Sequence, residues 1–125
     1  MELGELELEI LALIKKMRSA TAAEVLGRLR ARREMAYSTV ITTLERLHRK
    51  GFLTRRREKW RGGGRHVFSI SSNIDQQREV VDRAVDRFLE AFGPVAVSAI
   101  HERLESTSSE RIEELKKVVG SRRKR

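Results

Sequence analysis

Thr39, Thr42, Arg46 and Arg49 recur at three- and four-residue intervals, and on a helix of 100° per residue they fall within an arc of about 80°. Hydroxyl and guanidinium groups gathered on one face suit a particular chemistry. They hydrogen-bond to phosphate oxygens and to base edges, an arginine can span two acceptors of guanine, and a threonine methyl packs on that of thymine. An ordinary solvated face carries Lys and Glu. Threonine is a weak helix former, so two of them on an outer face point to a task other than helix formation. Glu45 lies on the rim of this face, where phosphate would repel it.

A second cluster follows. Arg55, Arg56, Arg57, Lys59, Arg61 and Arg65 crowd into eleven residues, and like charges so close call for a polyanion. The alternative is a charged hairpin edge that resists aggregation, for which lysine is the usual choice. The net charge of +9 is unevenly spread. Residues 1–72 hold sixteen Lys and Arg against eight acidic residues, residues 73–120 hold seven against ten, and the last five residues add four more positives. One region thus faces a polyanion and another has a different job.

Other chemistries find little support. The chain has no cysteine, and His48, His66 and His101 are scattered, so neither a disulfide nor a ligand-spaced metal site is expected. No nucleophile–base pair, paired carboxylates or phosphate-cradling glycine loop stands out. No catalysis, cofactor or metal is expected. No apolar run approaches the ~18 residues of a membrane span, and the acidic, amphipathic N-terminus is unlike a secretory leader. A cytoplasmic protein without a membrane partner is the expectation.

The basic clusters need elements to hold them. Leu3, Leu6, Ile10, Leu13, Ile14 and Met17 share one helical face, with Glu2, Glu5, Glu7 and Glu9 at the start and Lys15 and Lys16 at the end, matching the helix dipole. Thr21 to Glu24 has the form of a capping box that opens a second helix with Ala22, Val25, Leu26 and Leu29 inward. A third helix runs from about Ser38 to Lys50 and stops at Gly51, suited to a left-handed cap; its inner face is Val40, Leu44 and Leu47, with Thr43 between. Two strands, residues 52–59 and 66–71, then flank a tip whose glycines 62–64 allow flexible bending. Leu53, Phe68 and Ile70 can face the helices, and Trp60 is expected to pack at the hairpin base. Three helices and a basic hairpin form the order of a winged helix.

Beyond Asn73 the pattern is helical again. Val81, Val85, Phe88, Leu89 and Phe92 form a stripe that Gly93-Pro94 ends. Ile100 and Leu104 belong to a second piece, Ile112 and Leu115 to a third that starts near Ser108. Short helices with one apolar face each bury little alone, so they either fold back or pair with a second copy. Their net negative balance, appended to a complete basic unit, favours a dimer module.

The stretch 36–53, AYSTVITTLERLHRKGFL, carries Ser38-Thr39-Val40, Arg46-Leu47 and Lys50-Gly51 in sequence. It resembles the penicillinase-repressor family (BlaI, MecI and CopY types). LGELELEILALI is similar to that family's first helix and SSERIEELKKVV to its last, so the likeness spans about residues 3–119. The resemblance implies a winged helix that reads a palindromic operator through Ser38, Thr39, Thr42 and Arg46, and helices that dimerise. Two features depart from it. The copper repressors' cysteine-rich site is missing, and where the antibiotic-responsive repressors are cut at an Asn-Phe bond this chain reads Ala99-Ile100.

The expected architecture is therefore mainly α with a small β-hairpin: a winged helix-turn-helix over residues 1–72, a helical dimerisation region over 73–120 and a basic tail over 121–125. The expected function is transcriptional regulation, most simply repression, by a homodimer on double-stranded operator DNA, with an unidentified inducer or protease as a further partner. DNA contacts are expected from Ser38, Thr39, Thr42, Arg46, Arg49, Arg55, Arg56, Arg57, Arg61 and Arg65. The competing reading is a non-specific nucleic-acid-binding or chromatin-architectural protein, which shares the basic face but discriminates little between sequences.

Overall fold

A computed structural model describes residues 3–107, 110–114 and 116–117. Its elements are α1 (Glu5–Met17), β1 (Ser19–Ala20), α2 (Ala22–Arg30), α3 (Tyr37–Arg49), β2 (Leu53–Trp60), β3 (Gly63–Ile70), α4 (Ile74–Phe92) and α5 (Pro94–Glu105). The chain forms two compact units, Met1–Gln77 and Arg78–Arg125.

The first unit is a three-helix cluster closed by a sheet. Ile10 and Ile14 of α1, Val25 and Leu29 of α2, and Val40, Leu44 and Leu47 of α3 are fully buried, with Phe52, Leu53 and Phe68 beside them. Each such side chain stabilises the fold by roughly 1.5–3 kcal/mol. The α2 cap takes the expected form: Thr21 Oγ1 accepts from the Glu24 amide at 3.2 Å, and the Thr21 amide donates to Glu24 Oε1 at 2.9 Å. The end of α3 also does. Gly51 has φ +88°, its N–H donates to the His48 carbonyl at 3.0 Å, and the Phe52 N–H donates to the Leu47 carbonyl at 3.0 Å. This paired arrangement satisfies two of the carbonyls a helix end leaves open.

Glu7 lies in the first turn of α1 as expected, and it does more than complement the dipole. It is buried, accepts from the Gly4 amide at 3.0 Å and binds the Lys50 ammonium through both oxygens at 2.9 and 3.2 Å. Its place at the edge of the Leu3–Leu6–Ile10–Ile14 face, next to Ile14 in helical projection, lets it reach Lys50.

The sheet differs from the expected hairpin in three ways. It has three strands in the order β1-β3-β2, because Ser19 and Ala20 pair with Ser69 and Phe68. The hairpin is also longer. Arg61 (φ 43°) and Gly62 (φ 77°) alone make the turn, and two successive positive φ values match the twist of the strands, so pairing continues to the tip. Gly63 and Gly64 are not part of a flexible tip but lie in β3 opposite Trp60 and Lys59. A Cβ on Gly64 would collide with the Arg57 guanidinium. Finally, Trp60 does not pack at the base. Its register next to the turn leaves it 46% exposed, with the Arg65 and Arg61 guanidinium carbons 3.9 and 5.1 Å from the ring centroid.

Asn73 caps α4 by accepting from the Gln76 amide at 3.2 Å. No residue of α4 is fully buried. In the second unit Val81, Phe88, Leu89, Phe92, Val95, Val97, Ile100, Leu104 and Ile112 are exposed, Val85 is half-buried and Ala96 is buried. The Phe88 and Phe92 rings stack at 6.5 Å. Gly93 (φ 51°) separates α4 from α5, which begins at Pro94. Residues 110–114 are helical. Leu115 and the basic tail, expected to pair copies and to add charge, lie outside the described residues.

Candidate nucleic-acid interface

The exposed side of α3 follows directly from its buried side. With Val40, Leu44 and Leu47 sealed in the core, Ser38, Thr39, Thr42, Arg46 and Arg49 are all exposed. Thr43 is buried and donates its hydroxyl to the Thr39 carbonyl at 2.7 Å, a common way to satisfy a threonine inside a helix. Tyr37, not singled out from the sequence, is half exposed at the first position of α3. Its place ahead of Ser38 was the available signal.

The hairpin arginines lie beside this helix but are not equivalent. Arg55 reaches Glu45 of α3 through two hydrogen bonds of 2.7 and 2.9 Å, so the carboxylate that would have repelled phosphate is neutralised. Glu58, which sequence reasoning overlooked, binds Arg65 at 2.6 and 3.0 Å and Arg56 at 3.3 Å. The Arg65 hydrogen bond holds the Glu58 carboxyl below its ordinary pKa of 4.5, against the opposing effect of burial and aided by the charges of Arg65 and Arg56. The register Glu58↔Arg65 makes this pair, and a turn placed at Arg61-Gly62 would have revealed it. Arg57 lies over Gly64 and Arg61 over Trp60.

Tyr37, Glu45, Trp60, Arg65 and His66 line a cleft of about 500 Å³ between the hairpin and α3. The arrangement presents an exposed hydroxyl-and-arginine helix face with a basic two-stranded arm beside it, a shape able to engage a major groove and its flanking phosphates together. Among the described residues no three His, Asp or Glu side chains group to hold a metal ion. None of the described helices is long and apolar enough to cross a membrane.

Comparison with known proteins gives the family and the fold. The model of the penicillinase repressor family matches residues 3–121. Among solved structures, a possible transcriptional regulator from Methanosarcina mazei Go1 is similar at 21% identity and TM-score 0.52, over 85% of this chain and 81% of that one. Streptococcus pneumoniae FabT, solved in complex with DNA, is similar at 20% identity and TM-score 0.50, over 98% and 74%. A PadR family transcription regulator from Clostridium difficile R20291 is similar at 18% identity and TM-score 0.51, over 71% and 98%. At these identities the likeness is one of fold. No curated protein matches the chain. The family match covers nearly the whole sequence, and the chain belongs to the penicillinase repressor family as a DNA-binding transcriptional repressor, not an enzyme.

Proposed function

We propose that two chains pair through the helices of residues 73–120 and present their α3 helices to successive major grooves of a palindromic operator. Half-site centres then lie about 34 Å apart or a multiple of that. Thr39, Thr42 and Arg46 read bases. Ser38, Arg49, Arg55, Arg56, Arg57, Arg61 and Arg65 hold phosphates, and Arg55, Arg56 and Arg65 exchange their carboxylate partners for them. Bound at a promoter in the cytoplasm, the dimer excludes polymerase until an inducer or protease releases it.

The observation that carries this reading is the face of α3, where every candidate contact residue is exposed while the opposite side is sealed in the core. The structure of FabT with DNA is consistent with a related fold engaging a duplex. Pairing is supported by the exposed apolar residues of α4 and α5, since such surface is seldom left uncovered.

Selection of random double-stranded DNA on the purified protein at several salt concentrations tests the proposal. The expected outcome is a palindrome with one fixed half-site spacing. Enrichment of no sequence, with affinity falling steeply with salt, would favour non-specific binding instead.

A further inference from the structure

The last residues of α3 are tied to the first turn of α4 by a contact that DNA reading alone does not require. The paired bonds at Gly51 satisfy the Leu47 and His48 carbonyls, and the Lys50 carbonyl is taken by Nε2 of Gln76. The glutamine amide sits so close over Gly51 that a Cβ there would lie 2.9 Å from its Oε1. The absence of a side chain on Gly51 thus serves two ends, the left-handed turn and the seat for Gln76. Neighbouring bonds hold the same turn. Gln77 Nε2 donates to the Ser71 carbonyl at 2.7 Å, the Asn73 amide donates to Ser71 Oγ at 3.2 Å, and Asn73 Oδ1 caps the Gln76 amide. Lys50 is in turn held by Glu7.

We infer that Gln76 is a positioning residue that sets operator half-site spacing. It ties the first turn of α4 to the end of the recognition helix. The inference rests on the dimer proposed above. In such a dimer the separation of the two α3 helices depends on how rigidly each is joined to the helix that pairs. The amide of Gln76 is a donor aimed at a carbonyl, so Gln76→Glu, which keeps the shape and replaces the donor with an acceptor, breaks the join with little change in volume. Gln76→Ala removes it without adding charge.

Wild type and both variants are compared by sedimentation, by affinity for a single half-site, and by affinity for palindromes whose half-sites are moved apart or together by one to three base pairs. Both variants are expected to remain dimers and to bind the single half-site within about twofold of wild type, while discrimination between the best spacing and its neighbours falls about tenfold. Unchanged spacing discrimination in a dimeric variant overturns the inference. An equal loss on the single half-site also overturns it, since the glutamine would then merely support α3. A monomeric wild type, or one with no palindromic preference, removes the dimer reading first and the positioning role with it.

Discussion

Arg46 and Glu7 show how neighbouring side chains on adjacent helices divide their work. Arg46 is exposed on the Thr39–Thr42 face. Arg46→Ala is expected to cost about 1–3 kcal/mol of operator affinity and to relax preference at one base position; parallel binding to operator variants checks it, and an equal loss on all sequences would make Arg46 a phosphate anchor. Glu7 is buried against Lys50. Burial raises its pKa, but the Gly4 amide and the Lys50 ammonium, with the field of Arg46, lower it further, so the carboxyl titrates below its ordinary 4.5. A depressed folded pKa means the unfolded chain binds more protons, so this contribution is present above the unfolded value and is lost as pH falls through the folded one. Glu7→Gln is expected to cost about 1–3 kcal/mol at pH 7 and progressively less as pH falls below 4.5, measured by denaturant unfolding over a pH series. The α3 face was legible in the sequence because helical spacing is a local property. The Glu58–Arg65 pair was not, because it depends on a register that only the turn defines.

Among the elements, α2 is short and leans on its cap. Thr21→Ala removes the acceptor for the Glu24 amide and is expected to destabilise the protein by about 1 kcal/mol, seen as a lower denaturation midpoint with an unchanged slope. The helices of the first unit could be read from apolar periodicity and from Thr21, Glu24 and Gly51. β1 could not, since two residues carry no periodicity and their partners, Ser69 and Phe68, lie about fifty positions away. The hairpin tip was misread for a related reason. Three glycines suggest flexibility, yet the conformation depends on which two residues take positive φ, and these are Arg61 and Gly62.

For the molecule as a whole, the apolar stripe of Val81, Phe88, Leu89 and Phe92 was evident from spacing, whereas the second chain proposed to cover it is not a property of local spacing. Phe88→Asp puts a charge among these exposed side chains and is expected to weaken self-association at least tenfold, roughly the loss when an aromatic anchor is removed. Sedimentation over a concentration series checks it, and an unshifted profile would move pairing elsewhere. The wing has a consequence of another kind. Three of its arginines already rest on carboxylates, Arg55 on Glu45 of α3 while Glu58 serves both Arg56 and Arg65. Replacing such a carboxylate by a phosphate trades one surface ion pair for another, each worth about 0–1 kcal/mol. If the hairpin holds phosphates as proposed, a nearly level trade lets it pass from one phosphate to the next along random duplex without gripping any single spot. On that reading the three paired arginines favour rapid search over tight hold, and residence time falls to the helix proposed to read the bases.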